Sequence, residues 1–152
     1  MPGTGKGTIT VARLFWMTLA VLLLASSALP AQAATSRAKQ RKLTDTQMLF
    51  SKAMRWGDFE QAWGVVDPKV REQRPLSALQ LSRYQQVQVS GYSEIGSLGG
   101  ADGVVVRLME MRVVNRNTMA ERTLRIRERW RWDDAAGQWW LLDGLPDPWQ
   151  GQ

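Results

Sequence analysis

From Thr123 to Trp132 two chemistries take turns residue by residue. Leu124, Ile126, Glu128, Trp130 and Trp132 alternate with Thr123, Arg125, Arg127, Arg129 and Arg131. Successive side chains of a strand point to opposite faces, so this period of two predicts a half-buried strand. Its apolar set must face a core, and the arginines must face away from it. Glu128 is then the single charge on the strand's apolar side.

Pairing extends the reading to the neighbouring segments. Val104 to Val114 is ambiguous alone, but with a turn over Arg116–Met119 it lines up with the arginine-rich strand. Val105 then opposes Trp130, Met109 opposes Ile126 and Met111 opposes Leu124, all inside. A slip of one residue would turn every side chain over and place Glu110 and Arg112 in the core. In the better register Arg107 lies inward, opposite Glu128. On the outer face Glu110 opposes Arg125, while Val106 and Leu108 sit beside Arg129 and Arg127. A final hairpin through Asp134–Gly137 pairs Trp132 with Trp139 and Trp130 with Leu141. It leaves Trp140 outward opposite Arg131, a cation–π geometry, and places Asp143 inward opposite Glu128.

The first half of the chain carries helical signals instead. Thr44 and Gln47 form a capping-box pattern, with Leu43 and Met48 as the apolar staple. Met48, Leu49, Ala53 and Trp56 recur at helical spacing until Gly57 stops the run. Asp58 opens a second helix with Phe59, Ala62, Trp63 and Val66 on one face. Asp67-Pro68 caps a third, proline being tolerated in a first turn, and Pro75 to Leu81 adds a short fourth piece. Gln85 to Tyr92 reads as a first strand, Gly96–Gly103 as a flexible turn, and Gln138 to Asp143 as the last strand. The expected class is α+β: N-terminal helices on one face of an antiparallel sheet of about four strands. Trp56, Trp63, Trp130, Trp132 and Trp139 are expected in the core.

The N-terminal 34 residues differ in kind. Lys6 and Arg13 are their only charges, Leu14 to Ala25 is apolar apart from Thr18, and Ala31-Gln32-Ala33 fits a signal-peptidase site. A basic start, an apolar stretch of about 7–15 residues and a small-residue site define a secretory signal peptide, here residues 1–33. The stretch falls short of the roughly 20 residues of a spanning helix; an uncleaved N-terminal anchor is the alternative. MPGTGKGT imitates a phosphate-binding loop but lacks the preceding strand that such a loop needs. Loss of Lys6 and Arg13 leaves 18 basic and 14 acidic side chains, a net +4 in place of the precursor's +6. Residues 34–42 read as a basic flexible leader and 43–149 as one domain. The chain is expected to be exported, periplasmic or secreted. With no cysteine to form a disulfide, its core alone must hold it. Nucleic acid is not an expected target, and the membrane is expected to be met only during export.

Phe50 to Trp63 (FSKAMRWGDFEQAW) resembles the helix, Gly-Asp break and helix that open the nuclear transport factor 2-like, or cystatin-like, superfamily. Arg129-Trp130-Arg131-Trp132, a glycine turn and Gln138-Trp139-Trp140-Leu141 resemble its closing hairpin. The chain also resembles small exported bacterial proteins of no assigned activity. The likeness implies a cone-like sheet wrapped on helices, often dimerising through its outer face. It also implies either an isomerase- or dehydratase-type enzyme or a non-catalytic binding domain, between which fold alone does not choose.

Candidate chemistry is sparse. The chain has no histidine and no cysteine, which removes the commonest general base, metal ligand and strong nucleophile. No metal-ligand spacing occurs, and no cofactor is expected. Arg107, Glu128 and Asp143 form the one constellation of interest. It is expected first as a structural ion pair, next as a ligand-positioning group, and last as a catalytic pair of carboxylates, Glu128 and Asp143, with pKa values pushed apart. Val106, Leu108, Arg127, Arg129, Arg131 and Trp140 form a candidate interface on the outer face, a homodimer's in the simplest case. The expected function is an exported, non-catalytic binding or accessory protein of unknown ligand or partner. The alternative is a small-molecule isomerase or dehydratase using carboxylates inside the cone.

Overall fold

In the computed structural model, residues 29–99 and 103–150 are described. Most of the predicted signal peptide and the Gly100–Asp102 part of the predicted turn lie outside them. Helices α1 (Leu29–Trp56), α2 (Phe59–Gly64), α3 (Pro68–Gln73) and α4 (Ala78–Gln85) precede strands β1 (Val87–Gly99), β2 (Val104–Asn115), β3 (Glu121–Asp133) and β4 (Gln138–Leu141). The strands form one open antiparallel sheet in the order β1-β2-β3-β4. The fold is therefore α+β, as the change of period implied. The described residues from Lys39 onward make one compact unit. Among the described residues no helix is long and apolar enough to cross a membrane.

Helix α1 starts well before the predicted cap. Thr44 does not cap it: the Thr44 hydroxyl donates to the Gln40 carbonyl, and that of Thr46 to Lys42. Both are mid-helix back-bonds to position i−4. Residues 34–42, expected as a flexible leader, lie within this helix. Lys39 pairs with Asp134 at 2.8 Å, Lys42 donates to the Gly137 carbonyl at 2.9 Å, and both ammoniums stand over the Trp132 ring. The Trp139 indole N–H donates to the Lys39 carbonyl, so the Lys39–Lys42 turn of α1 is pinned to the β3–β4 hairpin.

The opposite end of α1 stops where predicted. Gly57 takes φ +75°, its N–H reaches the Met54 carbonyl, and that of Asp58 reaches Ala53. This paired 5→2 and 6→1 closure is the Schellman motif, which needs a residue tolerant of left-handed backbone. Asp58 then caps α2 by accepting from the Gln61 N–H, and Asp67 caps α3 from Lys69 with Pro68 in the first turn. Ser77 and Gln80 form a capping box on α4, so the fourth helix lies later than the predicted Pro75–Leu81.

The strand registers agree with the pairing argument as far as Leu141. Val105 faces Trp130, Arg107 faces Glu128, Met109 faces Ile126, Met111 faces Leu124, Trp132 faces Trp139 and Arg131 faces Trp140. Strand β1 is longer than predicted and carries register shifts at Ser90 and Ile95. These bulges bend the strand and break up what is otherwise an open sheet edge. At the other edge the α2–α3 connection covers β4, with Leu141 bonded to Val65 and Asp67.

The core lies between α1 and the inner sheet face: Leu43, Phe50, Ala53 and Met54 pack with Tyr92, Met109, Met111, Ile126, Trp130, Trp139 and Leu141. Trp63 and Trp132 are partly buried against it. Trp56 is not in the core. It is 81% exposed, because α1 buries the face carrying Leu43, Phe50 and Met54 rather than the one carrying Met48, Leu49 and Trp56.

Gly57→Ala is expected to lower stability by about 1 kcal/mol, the cost of a Cβ in left-handed backbone. Urea denaturation should show a lower midpoint with an unchanged slope; an unchanged midpoint would contradict the Schellman account.

Candidate functional site

Glu128 sits near the centre of the inner sheet face, and alternation along β3 puts it there between Ile126 and Trp130. Its residue exposure is 1%, and that of Arg107, across the β2–β3 ladder, is 6%. Such burial is costly for an ionised pair unless the remaining valences are satisfied. Here they are. Arg107 donates to Oε2 from Nε at 2.9 Å and lies at 2.8 Å through its NH2 nitrogen. The Trp130 indole donates to the same oxygen at 2.9 Å, and the Tyr92 hydroxyl donates to Oε1. The Arg107 guanidinium continues outward, donating to the Ser51 hydroxyl of α1 at 3.0 Å and approaching Glu94 at 3.9 Å near the rim.

The surroundings complete a closed aromatic box. Phe50 of α1 stands edge-on to both Tyr92 and Trp130, and Arg107 lies 6.0 Å from the Trp130 ring. Burial lifts the Glu128 carboxyl above the ordinary carboxylate range, although Arg107, Tyr92 and Trp130 all pull it down. Burial also holds the Tyr92 phenol well above its ordinary value, and the Glu128 charge adds to that. The Tyr92 phenol therefore keeps the proton it donates to Glu128 past the pH at which a free phenol loses it.

Sequence reasoning missed Tyr92 and Ser51. Strict alternation sends Tyr92 to the face opposite Val87 and Val89, but the bulge at Ser90 restores it to theirs. Ser51 is placed by the choice of buried helix face.

Asp143 does not join the inner constellation. Strand β4 ends at Leu141, and Asp143 leaves the ladder to accept from the Arg129 backbone N–H and Nε, both at 2.8 Å, with the Arg129 NH2 nitrogen at 2.5 Å. The expected inward approach to Glu128 is thus corrected: the last backbone bond to β3 runs from the Leu142 N–H to the Arg129 carbonyl, and Arg129 then captures the carboxylate. The two carboxylates accordingly lie on opposite faces of β3.

The outer face is also more occupied than expected. Val106 and Trp140 are buried, Leu108 is half-buried, and Arg127 is exposed. Arg131 does not stack on Trp140 despite facing it. It reaches the buried Asp67 carboxylate at 2.5 Å, and Arg71 of α3 takes the place over the Trp140 ring at 5.8 Å. Asp67 thus serves as helix cap and as partner of the sheet.

Among the described residues, surface hollows lie beside α4 and the C-terminal segment, beside the end of α1, and beside Asp67 and Trp132; neither Glu128 nor Arg107 lines these. Among the described residues no group of acidic side chains could hold a metal ion. No protein-family model matches this chain, and no curated protein or solved structure matches it either.

Glu128→Gln and Arg107→Met are each expected to cost about 3–5 kcal/mol, since each leaves the other partner buried and uncompensated. Tyr92→Phe removes one donor to a charged acceptor and is expected to cost about 1.5–3 kcal/mol. Chemical denaturation of the three variants measures the ranking, and a Glu128→Gln protein of unchanged stability would contradict a closed pair.

The alkaline limb is fixed by the chain's two tyrosines, Tyr84 and Tyr92. Both are raised, each chiefly by burial. The unfolded chain releases their protons near the free phenol value of about 10, the native state only well above it. Stability is therefore expected to fall as pH rises past about 10. In a spectrophotometric titration, tyrosinate absorbance should appear together with loss of near-ultraviolet dichroism, not before it.

Proposed function

We propose that this chain is an exported, non-catalytic binding or accessory protein with a nuclear transport factor 2-like plan. The observation that carries the reading is the closed state of Glu128: four donor contacts on one buried carboxylate, with Arg107 across its approach. A general acid or base must reach a substrate proton within hydrogen-bond distance. Glu128 is held among its own protein partners, and Asp143 is engaged by Arg129 on the other face. The isomerase or dehydratase alternative, using Glu128 or Asp143, needs an open pocket that reaches the carboxylate. Arg107 and Glu128 then act as structural residues, and recognition falls to the surface.

Export rests on the basic start, apolar stretch and Ala31-Gln32-Ala33 pattern. A homodimer through the outer sheet face belongs to the same proposal. Supporting it are the exposed Leu98 and the half-buried Leu108 on that face.

The test has three arms. Mass spectrometry of the chain recovered from the periplasm or medium is expected to give an N-terminus at Ala34, and retention of the whole chain in the cytosol would sink the export reading. Replacing the pair together, Arg107→Met with Glu128→Leu, is expected to recover much of the stability that either single change loses, since a buried ion pair exchanges for apolar packing at little cost. A catalytic carboxylate predicts instead a stable fold with an activity abolished by Glu128→Gln. Sedimentation at micromolar concentration is expected to give a dimer that Leu108→Glu dissociates; a monomer at that concentration removes the interface.

A further inference from the structure

Helix α1 carries two apolar stripes, and only one is used by the core. Leu43, Phe50, Ala53 and Met54 are buried, whereas Met48 is 62% exposed and Leu49 and Trp56 are exposed with it. At 100° per residue, Met48, Leu49, Lys52, Arg55 and Trp56 fall within about 120° of arc on the solvent side. Arg41 and Asp45 continue the same face toward the N-terminus, and all seven side chains are exposed. The face runs about 22 Å along the axis. A single exposed apolar side chain needs no explanation; three on one helix face, ending in an indole, do.

Its charge narrows the occupant. Arg41, Lys52 and Arg55 outnumber the one acid on the face, Asp45. Beyond the helix end, Arg55 and Trp56 meet Tyr84, Gln88 and Arg116 around a surface hollow, adding a fourth basic group. Asp58 is the nearby acid there, and it accepts from the Gln61 N–H as the cap of α2. A second copy laid on this face through a two-fold axis would set the basic side chains against themselves, a like-charge contact that disfavours self-association. A small free anion would need cationic groups that converge, whereas these are strung along the helix. An extended anionic surface with an apolar layer beneath it satisfies both features at once. Such a surface takes an amphipathic helix lying flat, with Trp at headgroup depth and long basic side chains reaching up to the phosphates.

We infer that the solvent face of α1, from Arg41 to Trp56, binds an anionic phospholipid surface, with Met48, Leu49 and Trp56 entering the acyl boundary. This goes beyond the binding role proposed above and does not depend on it, because the sealed Arg107–Glu128 pair and the outer sheet face take no part. It also differs from a tether through Leu14–Ala25, which would hold the chain at any bilayer without inserting this face.

The absence of cysteine makes a site-specific test straightforward. Full-length Met48→Cys carries an environment-sensitive fluorophore. Thr123→Cys, on the outer face of β3, carries the same label as a control. With phosphatidylglycerol vesicles the label at position 48 is expected to brighten and shift to the blue, less so in about 0.5 M salt, while the label at 123 does not respond. Phosphatidylcholine vesicles should give little response at either site. Lys52→Glu with Arg55→Glu should raise the lipid concentration for half-response by at least about tenfold, with unchanged far-ultraviolet dichroism. If that variant loses its fold, Lys52→Gln with Arg55→Gln takes its place. No response at position 48, an equal response to neutral lipid, or an equal response at 123 overturns the inference. So does a shift that tracks protein concentration without vesicles, which would identify a second copy as the occupant.

Discussion

A buried carboxylate held against an arginine is the interaction on which the rest of this fold depends. Desolvating either ion alone costs several kcal/mol, and the mutual attraction offsets this only if the remaining valences are filled. Glu128 meets that condition by drawing on three strands: Tyr92 from β1, Arg107 from β2 and Trp130 from β3 itself. Arg107 brings in α1 through Ser51. Four elements must be in register before the pair is satisfied, and a one-residue slip of β3 would bring its arginines in and turn the carboxylate out. The contacts that make the pair tolerable in the core also fill both oxygens of the carboxylate.

On the outer face the arginines behave differently. Arg129 and Arg131, both about half-exposed, recruit acids from neighbouring segments. Arg129 draws in Asp143 as the chain leaves β4, and Arg131 reaches Asp67 at the head of α3. Pairs this exposed contribute little each, yet they settle where the C-terminal segment and α3 lie against the sheet. Trp140 ends up beneath Arg71 for the same reason. The free arginine surface is consequently smaller than the row of arginines implied.

Much of this architecture was legible in the chain. Alternation along Thr123–Trp132 identified a half-buried strand, and matching apolar sets across it recovered the ladders of β2 and β4, including Arg107 opposite Glu128. Both inferences rest on local periodicity, which a regular strand cannot violate. Where periodicity was interrupted, the reading failed. One extra residue at Ser90 reverses the parity of everything after it, so Tyr92 was lost from the site. The ladder ends at Leu141, so Asp143 was extrapolated one step too far. Thr44 has the residue type of a cap but bonds back to Gln40, because no proline or glycine between Ala31 and Trp56 stops the helix earlier.

Helix α1 separates the two sources of information most clearly. The sequence by itself determined that this segment is helical, that Gly57 ends it, and that Met48, Leu49 and Trp56 share a face. It equally contains the stripe of Leu43, Phe50 and Met54. Either stripe suits a hydrophobic interface, and spacing does not rank them. Only the tertiary structure chose, because Phe50 meets Tyr92 and Trp130 while Ser51 meets Arg107. Those partners lie far away in sequence and converge only when the sheet is assembled. Burying one stripe left the other, with its indole and its basic side chains, facing outward.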